Sequence, residues 1–161
     1  MNIEEQINKN NELYAIFILW DSLNKYFDEV INNISNYGEI YPIYVKADSK
    51  EYKNFIIDIY DFNNQKELGI FKANKMYNGE KTYFLVILIL KLNKEHTCFS
   101  SKIENENFNI VTTIKKNIRN KYKILIDDYF HDNIIHATDC FDEVVHTKKI
   151  LKKHNMFNKK N

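Results

Sequence analysis

The chain lacks an excess of charge of either sign. Its net charge is +1, with acids and bases interspersed, so nothing marks a surface for nucleic acid or an anionic membrane. It also lacks a long apolar segment: the run from Tyr83 to Leu90 falls far short of the roughly 20 residues that a membrane span needs. The start is polar and acidic, without the apolar stretch of a secretory signal. Cysteine is scarce: Cys98 and Cys140 are far apart and share no motif, which fits a reducing compartment. These absences lead to the expectation of a soluble, cytoplasmic protein with neither a membrane nor a nucleic-acid partner. Glycine, proline and arginine are rare beside abundant asparagine, lysine and isoleucine, a bias read as that of the coding genome. His131, His136 and His146 lack a tight metal-ligand spacing, so no protein-held metal is expected.

With 161 residues the chain is long enough for one domain with a real core. The expected organisation is a polar extension over 1–12, a domain over 13–157 and a basic tail over 158–161. Leu13 to Trp20 has the length and composition of a strand buried on both faces. Asp21-Ser22 offers a cap to a helix marked by Leu23, Phe27, Val30, Ile31 and Ile34, which Gly38 would end. Glu39 to Lys46 alternates as a strand, and Pro42 places it at an edge. Asp48 with Glu51 resembles a capping box before the helical stripe Tyr52, Phe55, Ile56, Ile59 and Tyr60. Residues 61–81 read as two loops around a short strand or hairpin arm at Leu68 to Phe71. Thr82 to Leu92 is the strongest strand and the expected centre of the sheet. Asn93 to Asn109 reads as polar loop with one helical turn. Ile110, Ile114 and Ile118 suggest a short helix before Arg119, and Lys123 to Phe130 reads as extended. This order predicts an α+β fold: a ferredoxin-like two-layer sandwich, a four-stranded antiparallel sheet with helices packed on one face.

The most informative stretch is Asn133-Ile134-Ile135-His136-Ala137-Thr138-Asp139-Cys140. Its pattern changes from extended to helical, with Asp139 placed to cap a helix from Phe141 to about Phe157 and Asp142 and Glu143 favoured in its first turn. A histidine at such a junction can serve as nucleophile or base; for an arbitrary histidine a half-buried packing role is the commoner one. Arg119 is the only arginine of the chain, which hints at a position where bidentate phosphate geometry matters.

Asn133, His136, Ala137, Thr138 and Asp139 resemble the active-site signature of the nucleoside diphosphate kinases, Asn-x-x-His-[Gly/Ala]-[Ser/Thr]-Asp. Asn117-Ile118-Arg119-Asn120-Lys121-Tyr122 is similar to that family's segment with a phosphate-binding arginine. The resemblance implies a ferredoxin-like domain and a phosphoryl group carried from a nucleoside triphosphate to a diphosphate on His136. It further implies Arg119, Asn133 and Lys102 as nucleotide-binding residues, Thr138 beside the catalytic ring, Mg2+ arriving with the nucleotide, and a homo-oligomer. Several positions depart from the pattern. Leu19-Trp20-Asp21 stands where the family has Lys-Pro-Asp, Cys140 replaces a serine, and Thr147 falls where the family has the acid that supports the histidine. The connection Tyr60 to Lys81 is longer, and Ile124 to His131 holds an insertion. Lys46 or Lys50 would have to substitute for the missing lysine. Two other readings follow from the departures: a nucleotide-binding relative with weakened catalysis, acting as a sensor or assembly module, or a ferredoxin-like domain that binds RNA or protein.

Overall fold

The computed structural model describes residues 2–9, 14–92, 110–129 and 133–158. Its centre is β3 (Tyr83–Leu92), an almost continuously apolar strand. It pairs antiparallel with β1 (Tyr14–Leu19) in the register Ile16↔Ile89, and with β2 (Gly38–Ala47) in the register Ile43↔Ile87. β4 (Ile135–Ala137) pairs antiparallel with the other side of β1, His136 opposite Ile18. The four-stranded order is β2-β3-β1-β4. β2, with its proline, is an edge strand as expected.

Between β1 and β2 runs α2 (Phe27–Ile34), and between β3 and β4 runs α5 (Ile110–Tyr122). Val30, Ile31 and Ile34 of α2 and Val111, Ile114 and Ile118 of α5 share one core with Ala15, Phe17, Leu19, Val86 and Leu88. Alternate residues of a strand face opposite sides of a sheet, so both crossover helices lie on one face. The sheet and these two crossover helices make up the ferredoxin-like two-layer sandwich that the element order predicts, but helices are not confined to this one face. The opposite face carries helices as well: Ile16, Ile18, Trp20, Ile87 and Ile89 pack against α3 (Ser49–Tyr60), α4 (Lys66–Met76) and α6 (Phe141–Lys153). Ile7 of the short α1 (Ile3–Lys9) joins them. The second helical layer explains why every residue of β1 is buried. No helix among the described residues is long and apolar enough to cross a membrane.

Several local expectations change. Asp21 does not cap a helix: its carboxylate accepts the Phe84 N–H at 2.8 Å and the Lys81 ammonium at 2.9 Å. The chain passes instead through a 3-10 stretch, Asp21–Tyr26, before α2. Gly38 follows the 3-10 turn Ser35–Tyr37 that continues α2, as its C-cap, and at the same residue β2 begins. Its backbone is extended rather than left-handed, and a Cβ there would lie 2.2 Å from the Lys91 carbonyl oxygen. The Asp48 cap is present, its side chain accepting the Glu51 N–H at 2.8 Å.

The short strand expected at Leu68 to Phe71 is part of the helix α4. Its buried positions are Gly69, Lys72, Ala73 and Met76, at helical spacing but of the wrong chemistry to read as an apolar stripe, while Leu68, Ile70 and Phe71 face outward. Of the stretch expected to be extended, Lys123 to Phe130, residues 123–129 form turns instead, with Ile124 and Leu125 exposed. Asn93 to Asn109, Phe130 and the tail beyond Asn158 lie outside the described residues.

Candidate functional site

β4 is three residues long, and Thr138 extends its hold on β1. The Thr138 N–H donates to the Ile16 carbonyl at 3.0 Å, and its Oγ1 accepts the Ile16 N–H at 3.0 Å. Thr138 is wholly buried. The hydroxyl expected beside a reacting ring thus replaces a ladder acceptor where the strand ends.

The next residues turn the chain into α6, though without the expected cap. The N-cap position is Cys140, in extended conformation and with no side-chain capping bond. Asp139 is drawn toward α5, where its carboxylate accepts from Lys115 at 2.8 Å and from Thr112 at 3.2 Å. The carboxylate thus ties β4 to α5 instead of serving the first turn of α6.

His136 lies opposite Ile18 and therefore on the face covered by α3, α4 and α6. Its ring packs edge-on against Tyr60, the last residue of α3, with centroids 4.9 Å apart. Its Nε2 is 3.9 Å from a carboxylate oxygen of Glu143, in the first turn of α6. That separation is too long for a hydrogen bond. The imidazole is nearly enclosed, its side chain 12% exposed. Thr147, at the position of the resemblance's acid, is buried; Glu143 brings a carboxylate from one helical turn earlier. Sequence reasoning placed Glu143 only as a helix-dipole partner. The signal that could have found it is an acid seven residues after a strand-end histidine, on the helix that folds back over the strand.

Arg119 comes to β4 from the other face. Its guanidinium donates to the Ile135 carbonyl oxygen at 3.2 Å. Ile134 and Thr138 direct their backbone bonds toward β1, so in the alternating antiparallel pattern Ile135 points away from it, at the free edge. The one arginine thereby covers an acceptor of an edge strand.

Asn133 is buried, with its side-chain amide donating to the Asp128 carbonyl at 3.0 Å and to Ser22 Oγ at 3.4 Å. It ties the turn before β4 to the end of β1. Lys102 lies outside the described residues. Leu19 is part of the α2/α5 core, and Trp20 is wholly buried against Tyr52, Phe55 and Tyr60. Of the lysines weighed as substitutes, Lys46 lies on β2, at the opposite edge of the sheet from β4, with its ammonium 5.9 Å from the Phe84 ring. Lys50 lines a groove of about 620 Å³ with Lys53, Asn54 and Tyr77. A second cleft of about 230 Å³ lies between Asp21, Lys25, Lys81 and the turn Leu125 to Asp128. His136 and Arg119 line neither. The structure thus joins His136 with Tyr60 and Glu143, and sets Arg119, Asn133 and Thr138 in the scaffold around β4. Among the described residues, no three His, Cys, Asp or Glu side chains gather to hold a metal ion.

The chain is similar to the RecBCD enzyme subunit RecC of Buchnera aphidicola subsp. Acyrthosiphon pisum (strain APS), with 28% identity over 165 residues. The match covers 92% of this chain and 15% of that protein, so the chain spans a small part of its relative's length. No family model and no solved structure matches the chain.

Proposed function

We propose that the chain is a divergent relative of the nucleoside diphosphate kinases that binds nucleotide phosphates beside His136 and has lost rapid phosphate exchange. The observation that carries the reading is the Glu143 carboxylate 3.9 Å from His136 Nε2, on a strand-to-helix junction within a ferredoxin-like sheet of order β2-β3-β1-β4. A carboxylate facing an imidazole stabilises the charge that the ring would gain on accepting a phosphoryl group. Weakened turnover is supported by what surrounds that pair. Leu19 is core where the resemblance has a phosphate-binding lysine, and Arg119 is engaged with the Ile135 carbonyl. Each missing preorganised phosphate contact costs about 2.7–4 kcal/mol of transition-state stabilisation, a factor of about a hundred to a thousand in rate. A magnesium ion would reach this chain through the nucleotide's own phosphates and neutralise them there.

The test is paired. Mg-ADP and Mg-ATP are expected to raise the melting temperature of the wild-type chain, while transfer of phosphate from ATP to a second diphosphate stays near background. Brief incubation with γ-labelled ATP should leave acid-labile label that disappears in His136→Ala. A melting temperature indifferent to every nucleotide would sink the reading.

A second reading, a protein-interaction module, is favoured by α4, whose apolar residues Leu68, Ile70 and Phe71 face solvent. RecC is by its name a subunit of an enzyme, and a module within an assembly is the role that such a likeness would lend. Binding of a partner that is lost in Phe71→Asp with the fold intact would establish it.

A further inference from the structure

The groove of about 620 Å³ beside Lys50 lies between the first half of α3 and the turn 77–80 that leads toward β3. Its walls are held together from below. Ser49, buried at the start of α3, accepts the Lys81 N–H at 3.1 Å, and the Tyr83 hydroxyl donates to the Gly79 carbonyl at 2.8 Å. Lys50, Lys53, Asn54 and Ile57 line one side of the groove at helical spacing. Tyr77 and Ile57, both packed against the core, give it an apolar lining.

The charged groups of this groove are unevenly committed. Its two carboxylates are engaged: Asp48 accepts the Glu51 N–H at 2.8 Å, and Glu80 accepts the Tyr77 hydroxyl at 2.9 Å. Its two lysines pair with no carboxylate among the described residues. Lys50 is exposed, and Lys53 rests its ammonium 4.6 Å from the Tyr77 ring centroid. A cation on a ring face keeps hydrogens on its far side for an acceptor. The Asn54 amide is exposed and has no partner among the described residues. It offers a donor and an acceptor together, which the carbonyl and N–H of a peptide backbone can meet.

We infer that this groove docks an extended acidic peptide segment of a partner protein. Its carboxylates lie on Lys50 and Lys53, its backbone on Asn54, and an apolar side chain against Tyr77 and Ile57. From Lys50 to Ile57 the helix rises about 10 Å, the span of about three residues of extended chain. The segment therefore carries its acids and its apolar residue close together. A free anion would use the lysines and leave Asn54, Tyr77 and Ile57 without a role, which favours the peptide. The inference goes beyond the nucleotide reading, since neither His136 nor Arg119 lines the groove. The exposed α4 residues Leu68, Ile70 and Phe71 do not line it either.

The test is fluorescence anisotropy of the whole chain with labelled octapeptides. One set carries two glutamates and a leucine at varied close spacing; a second has lysines for the glutamates, and a third alanine for the leucine. The glutamate-leucine set should bind, less well in about 0.5 M salt, where exposed charges are screened. The lysine set should not bind, and loss of the leucine should weaken binding several-fold. Lys50→Glu should weaken it about ten-fold, by turning an attraction into a repulsion, and Asn54→Ala about three-fold, by removing the backbone contact. Lys123→Glu, the same charge change on an exposed turn outside the groove, should leave it unchanged. All three positions are exposed, so the variants keep the fold. Equal binding of the glutamate and lysine sets, or equal binding by the Lys50→Glu and Lys123→Glu proteins, overturns the proposal. Displacement of the peptide by an equal concentration of citrate, which would make this a small-anion site, or of a single-stranded oligonucleotide, overturns it too. No binding of any set also overturns it and leaves the nucleotide reading, tested separately by melting temperature with Mg-ADP, standing.

Discussion

Arg119 and His136 meet the same short strand from opposite sides. The guanidinium of Arg119 holds the Ile135 carbonyl oxygen at 3.2 Å from the α2/α5 face, while the His136 ring leans on Tyr60 beneath α3 and α6. One phosphate touching both groups would have to reach around the free edge of β4.

Arg119→Met separates a backbone-supporting role from a phosphate-binding one. The expected result is a loss of about 1.5–3 kcal/mol of stability, the size of a hydrogen bond from a charged donor, read from the urea midpoint. Nucleotide-induced stabilisation should persist. A variant as stable as the wild type but blind to nucleotide would assign the arginine to the ligand instead.

Thr138→Val keeps the side-chain volume and removes the acceptor of the Ile16 N–H. With Thr138 wholly buried, the orphaned donor should cost about 1–3 kcal/mol. Thr138→Ser should recover most of that, because the hydroxyl returns. Hydrogen exchange at the Ile16 amide is the direct check, and unchanged protection in the valine variant would contradict the bond.

Gly69→Ala pits two effects against each other. In a helix interior alanine is favoured over glycine by about 0.5–1 kcal/mol. Here its methyl group would meet the Ile57 carbonyl oxygen at 2.4 Å, which is backbone and cannot swing aside. Overpacking of that kind costs about 1–3 kcal/mol, so the net effect should be destabilising. Chemical denaturation decides the sign; a stabilised variant would mean that α4 can move off α3 freely.

Asp58 gives the α3–α6 contact an acid-sensitive component. Burial pushes its carboxyl up, but the hydrogen bonds from Lys153 at 2.9 Å and His154 at 2.7 Å, with their charges, outweigh burial and hold it below its ordinary value. A carboxyl lowered in the folded state stabilises above its unfolded pKa of about 3.9. That contribution is lost as pH falls from there through the lowered folded value. Asp58→Asn should therefore be less stable than wild type at pH 7, with the gap closing below about pH 4. Melting temperatures at pH 7, 4 and 3 test this, and parallel curves would remove Asp58 from the account.

The sheet was readable because β1 is buried on both faces throughout and β3 over Leu85 to Leu90, so their sequences are apolar almost without interruption. α3 was readable because its stripe and its Asp48 cap agree. α4 was hidden by an inversion: its buried side is a glycine, a lysine, an alanine and one methionine, while Leu68, Ile70 and Phe71 face out. Ile124 and Leu125 misled in the same way, since apolar side chains in a turn can stay in water. The place of His136 on a strand just before a helix was legible from the change of pattern around it. Glu143 and Tyr60 were not, because their nearness depends on how α6 and α3 fold back over the sheet. Asp139 reads as a cap in the sequence, but its carboxylate pairs with Lys115 of α5, a contact across 24 residues that local spacing does not show.

β3 has a consequence for how the chain reaches this state. Its partners come from far away along the chain: Lys91 pairs with Tyr14, and Leu92 with Gly38. Non-local pairings of this kind close slowly, on millisecond to second scales. Until both neighbours arrive, Phe84 to Leu90 is a bare, uncharged, β-prone segment of the composition that stacks into cross-β assemblies. Any side chain at Gly38 would press on the Lys91 carbonyl and delay the closing of one flank, so such a variant should betray itself first as inclusion bodies rather than as a lowered melting point.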